Sequence, residues 1–106
     1  MKNNFVIILV TFSSKKEAEL TAGSLLKKRL VACANIIGKI GSKFWWNGRI
    51  DKANETLAIF KTSGNKFKAV EKEVKRLHSY EVPEIIAIPI IALSEDYRRW
   101  IKDSII

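Results

Sequence analysis

Three stretches of this sequence are apolar at consecutive positions: Phe5-Val6-Ile7-Ile8-Leu9-Val10, Leu57-Ala58-Ile59-Phe60 and Ile85-Ile86-Ala87-Ile88-Pro89-Ile90-Ile91. Each is short and mostly rich in β-branched residues, so each reads as a strand. Successive side chains of a strand point to opposite faces of its sheet. Both faces are therefore apolar, and both need cover. Helices packed on one face leave the other bare, and a wet face of that kind exceeds what soluble monomers tolerate. The pattern predicts a homo-oligomer packed sheet to sheet. The alternative cover is the C-terminal helix folding back together with a long hairpin.

The rest of the chain supplies the order of elements. The first strand runs from Phe5 to Thr11. Ser14-Lys15-Lys16-Glu17 has the spacing of a capping box, and Ala18, Ala22, Leu25 and Leu26 mark a helix that ends near Arg29. Val31 to Ile37 is a second strand, which Gly38 and Gly41 are expected to bend or bulge before it resumes through Phe44-Trp45-Trp46. Asn47-Gly48 is a type I′ hairpin signal. The return strand takes Arg49-Ile50 and, after a polar stretch, Glu55 to Thr62. A second helix carries Phe67, Val70, Val74 and Leu77 on one face. A loop from His78 to Glu84 leads into the strand that starts at Ile85, and Pro89 places that strand at a sheet edge. Ser94 caps a short last helix with Tyr97, Trp100 and Ile101. The order βαββαβ plus a helix is an α+β, ferredoxin-like sandwich.

Composition narrows the function classes. The chain has 106 residues, 47% hydrophobic and 28% charged, which fits one domain spanning 1–106. Lys2 precedes the first apolar run, but six residues are too few for a signal-peptide core, and no run is long enough to cross a membrane. The single cysteine, Cys33, excludes an internal disulfide and suits a reducing, cytoplasmic setting. A net charge of +8 raises the prospect of an anionic partner. The basic residues are spread out, however, and Glu55 to Gly64 carries no aromatic RNA-binding pattern. Nucleic acid is thus disfavoured as a partner. Trp45-Trp46 reads better as one core ring and one subunit contact than as a stacking platform.

Soft metal donors are few: Cys33, His78 and Met1. A Cys33–His78 nucleophilic pair is conceivable, but a cysteine within an apolar strand is normally an inert small hydrophobe. Glu55, Lys61, Tyr80, Glu81 and Glu84 gather around strand ends and the His78 loop. Of these, Glu55, Lys61, Tyr80 and Glu84 are expected to line a pocket for a small charged ligand. No nucleophile stands beside a base, so the chain reads as non-enzymatic.

Five segments together resemble one family. Leu30-Val31-Ala32-Cys33-Ala34-Asn35-Ile36 resembles its Ala-Cys-Ala/Val-Asn strand. Ser42 to Ile50 resembles its aromatic-Trp-x-Gly-Lys/Arg-Ile hairpin. Glu55 and Lys61-Thr62 fall where it has Glu and Lys-Thr. His78-Ser79-Tyr80-Glu81-Val82-Pro83-Glu84 resembles its His-Pro/Ser-Tyr-x-x-Pro-Glu, and Tyr97 to Trp100 its Tyr-x-x-Trp. The family is CutA, the divalent-ion tolerance proteins. The resemblance implies a homotrimer built like the PII signalling proteins, with ligand pockets between subunits, and a role in tolerance of copper and other divalent ions. In a bacterial form the metal donors are a Cys at the end of the first strand and paired His before the Tyr. Val10 and Leu77 occupy two of those positions here. That leaves His78, with Cys33 elsewhere, as the metal candidates, and no cofactor as a requirement. A PII-like small-ligand sensor is the alternative reading.

Overall fold

The computed structural model describes residues 5–106; Met1 and Lys2, noted above, lie outside them. β1 (Phe5–Phe12) is flanked on both sides, by β3 (Arg49–Ser63) and by β4 (Ile85–Pro89). β2 (Cys33–Trp46) adds outside β3, so the sheet order is β2-β3-β1-β4 with every pair antiparallel. α1 (Lys15–Lys27), α2 (Phe67–Leu77) and α3 (Glu95–Ser104) complete the chain. This is the ferredoxin-like order expected, with β1 and β3 central and the Pro89 strand at an edge.

Parity along the strands builds the core. Ile8, Val10 and Phe12 of β1 and Ala58 and Phe60 of β3 share one face and are fully buried. Against them pack Ala18, Ala22 and Leu25 of α1 and Val70 and Val74 of α2. The other face carries Ile7, Leu9, Leu57 and Ile59, all half-buried, flanked by Ile86 and Ile88 of β4. Those two edge isoleucines stay 47% and 44% exposed. α3 reaches this face at one end, where Tyr97 lies against Cys33, and buries Ile101. It leaves the β4 side open.

Local chemistry departs from the sequence expectation at four places. α1 ends at Lys27, and Arg29 then takes a left-handed conformation (φ 56°) where glycine is usual. Leu30 N–H donates to Leu25 O and Arg29 N–H to Leu26 O, the paired bonds of a Schellman end. Arg29 also holds the C-terminus: its Nη1 donates to Ser104 O and its own carbonyl accepts from Ile106 N–H. The capping box closes on one side only. Ser14 Oγ accepts from Glu17 N–H, but the Glu17 carboxylate turns to Ser13 and to Ser79 in the loop after α2. The bulge sits between Ile37 and Ile40, where Gly38 and Lys39 oppose Thr56 alone, and Lys39 rather than a glycine has positive φ. β2 and β3 are each continuous through the segments expected to interrupt them. At the tip Asn47 (φ 50°) and Gly48 (φ 78°) form the type I′ turn.

α1 and α2 are also joined by charge. Glu73, nearly buried, accepts two bonds from Arg76, one from Ser24 Oγ, and pairs with Lys28 Nζ at 3.1 Å. The Arg76 and Ser24 bonds hold its carboxyl far below the ordinary glutamate value of 4.5. A depressed folded pKa gives stability that is fully present above pH 4.5 and is lost as pH falls below it. Glu73→Gln should therefore cost about 1–3 kcal/mol at pH 7 and less at pH 3. Urea midpoints at the two pH values check this. An equal acid loss in variant and wild type would move the effect to another carboxylate.

Candidate functional site

The loop after α2 and the outer half of the β2–β3 hairpin face each other across a cleft of about 670 Å³. The hairpin half extends past the body of the sheet, because β2 and β3 are 14 and 15 residues long while β1 is 8. β3 therefore has no β1 partner before Thr56. That geometry corrects the reading of the tryptophans. Neither is a core ring: Trp45 is 72% and Trp46 41% exposed, and both wall the cleft.

Glu55 and Tyr80 form its floor. Tyr80 Oη donates to Glu55 Oε2 at 2.7 Å, and Glu55 is only 8% exposed. Burial, and then the bond to Glu55 and its charge, push the Tyr80 phenol up to about 12. At neutral pH Tyr80 is thus a donor and not a base. Glu84 and Glu81 line the loop side, and Asp51 the hairpin side.

His78 lies behind Tyr80 rather than in the cleft. Its ring stacks on Phe12 at 4.7 Å and 16°. Nδ1 accepts from Tyr80 N–H at 3.0 Å, so the ring proton is on Nε2, which donates to Thr11 O at 2.7 Å. Both nitrogens are committed to the backbone, and this conformation offers no free lone pair. His78 thereby fixes the start of the loop that presents Tyr80. Among the described residues no three His, Cys, Asp or Glu side chains are grouped to hold a metal.

The expected pocket is divided by the structure. Within one chain Glu55, Tyr80 and Glu84 come together and Lys61 does not. It lies six positions along β3 from Glu55, about 20 Å away at strand spacing. There it pairs across the sheet with Cys33, with Nζ 4.0 Å from Sγ, and donates to Asn35. The Cys33–His78 pair is not assembled either. Cys33 is level with Lys61 and Ile7, whereas His78 binds Thr11, four residues further along β1. Asp51 and Lys43 also line the cleft, and neither is among the residues expected there. A two-residue turn at Asn47-Gly48 fixes Phe44 opposite Asp51 and Lys43 opposite Lys52, so the signal for both was present.

Residues 6–104 match the family model of the CutA1 divalent ion tolerance protein. The chain belongs to the CutA family. A divalent-cation tolerance CutA of Archaeoglobus fulgidus is 45% identical over 103 residues, covering 97% of this chain and 98% of that one. The chloroplastic CutA 1 of Oryza sativa is 37% identical over 93% of this chain, which spans only 56% of the rice protein. Among solved structures, the Archaeoglobus CutA, described as periplasmic, superposes with a TM-score of 0.92 at 44% identity over 94% of this chain and 97% of its own. The Thermus thermophilus CutA superposes at 0.93, with 34% identity over 95% and 98%. The CutA fold thus extends to this chain along nearly its whole length. No helix of the described residues is long and apolar enough to cross a membrane.

Proposed function

We propose that this CutA chain acts in tolerance of divalent ions, copper among them, as a non-enzymatic cytoplasmic homotrimer that binds a small ligand in the Glu55–Tyr80 cleft. The cleft is the observation that carries this reading. It joins a buried carboxylate, a phenol held protonated and exposed aromatic walls, and its size is that of a pocket for a whole small molecule. The open β4 side of the sheet supports assembly, since its isoleucines stay about half exposed among the described residues and another chain would cover them. The same cleft favours the PII-like sensor as second reading: a ligand enclosed between copies would report its own concentration through the assembly.

Metal enters this reading through donors of more than one copy, because the described residues of one chain hold no group of three. Cys33, half-buried and without a disulfide, would share only after giving up its contacts with Lys61 and Asn35, and His78 only after giving up a hydrogen bond. Calorimetric titration with copper under reducing conditions should show binding weaker than micromolar, alike in wild type and His78→Ala. Tighter binding that disappears in His78→Ala would move the site from the cleft to the histidine.

A further inference from the structure

We propose that the Glu55–Tyr80 cleft selects an organic cation: an ammonium or guanidinium group carried on an extended apolar body. This rests on the reading of the cleft as the ligand site and adds the class of ligand. The chain has a net charge of +8, yet the cleft is lined by Asp51, Glu55, Glu81 and Glu84 against a single cation, Lys43. The negative charge is therefore concentrated where the aromatic walls are. Phe44, Trp45 and Trp46 stand on the hairpin side and Tyr80 opposite. Aromatic faces attract cations, and ammonium ligands use that attraction together with carboxylates.

Glu55 gives the cleft its anchor. It is more than nine-tenths buried, and one oxygen is held by Tyr80. Thr21 Oγ1 is the one solvent-excluded side-chain oxygen without a partner among the described residues, so Glu55 Oε1 meets the open cleft, where a ligand N–H can bond it. A single metal ion fits less well, since the four carboxylates are too dispersed to form a metal group. A flexible polyamine spans dispersed carboxylates that a point charge does not.

Spermidine is the probe, titrated by calorimetry at fixed ionic strength with magnesium chloride as competitor. Glu55→Gln keeps the shape and the Tyr80 contact, and should weaken spermidine binding at least tenfold. Asp51→Asn, on the exposed hairpin, tests the second charge without touching the core, and should weaken binding about threefold. Magnesium at matched charge should not displace spermidine. No heat with millimolar spermidine, equal affinity in both variants and wild type, or full displacement by magnesium would each overturn the proposal. Light scattering on the same samples separates the two readings. A trimer without spermidine binding removes the cation alone, while a monomer that binds it supports the cation and removes the assembly.

Discussion

Phe12→Ala should cost about 3–5 kcal/mol of stability, more than any other single truncation in the cleft's support. Phe12 is fully buried at the end of β1, among the largest side chains of the core. Truncating it forfeits the transfer energy of a ring and leaves a cavity that neighbouring strands cannot close. The ring is also the platform on which His78 stacks. Without it, His78 loses the surface that keeps Nε2 on Thr11 O and Nδ1 on Tyr80 N–H. The Tyr80–Glu55 bond then loses its positioning, so the damage travels from the core to the cleft. Phe12→Leu retains most of the volume and should cost roughly 1–2 kcal/mol, while still removing the stack. Chemical denaturation at one fixed protein concentration measures both, since assembly makes stability concentration-dependent. Ligand binding by Phe12→Leu reads out the second effect. A cost below about 1 kcal/mol for Phe12→Ala would mean that the core repacks around the gap and that His78 is held by its hydrogen bonds alone.

The elements were legible because their signals are local. Asn47-Gly48 has one favoured geometry, Ser14 one favoured role, and Pro89 one kind of place in a sheet. What was hidden depends on length and register. The apolar run continues to Ile91, yet β4 ends at Pro89, with Ile90 N–H adding one more bond to Phe5 O. Residue type, proximity to a strand end and the CutA resemblance group Lys61 with Glu55 in the sequence. A strand is rigid, and within one chain six positions along it hold the two about 20 Å apart. His78 shows a third kind of hidden information. Its residue type advertises a metal ligand, while its environment, set by Phe12, Thr11 and Tyr80, makes it a bracket between β1 and the loop. The CutA resemblance points to the same loop and does not by itself tell those two roles apart.

The assembly carries the other large expected effect. Wild type should scatter light as three chains of 12.1 kDa, about 36 kDa, and Ile86→Glu/Ile88→Glu should reduce that to a single folded chain. Both isoleucines sit on the edge strand β4, on the face opposite α1 and α2, in line with Leu9 and Ile7 of β1. Each is about half exposed in the isolated chain, so a glutamate there is tolerated by the monomer. In an assembly packed on this face the same positions are covered. Each substitution then gives up about 1 kcal/mol of further apolar burial and adds a carboxylate desolvation of several kcal/mol. Leu20→Glu is the control: it is 64% exposed on α1, away from the sheet face, and should leave the mass unchanged. Circular dichroism should show the double variant still folded, with a lower melting temperature than wild type. A wild-type mass near 12 kDa at micromolar concentration would show that one chain keeps this face wet, and an undiminished mass in the folded double variant would place the contacts between copies on another surface.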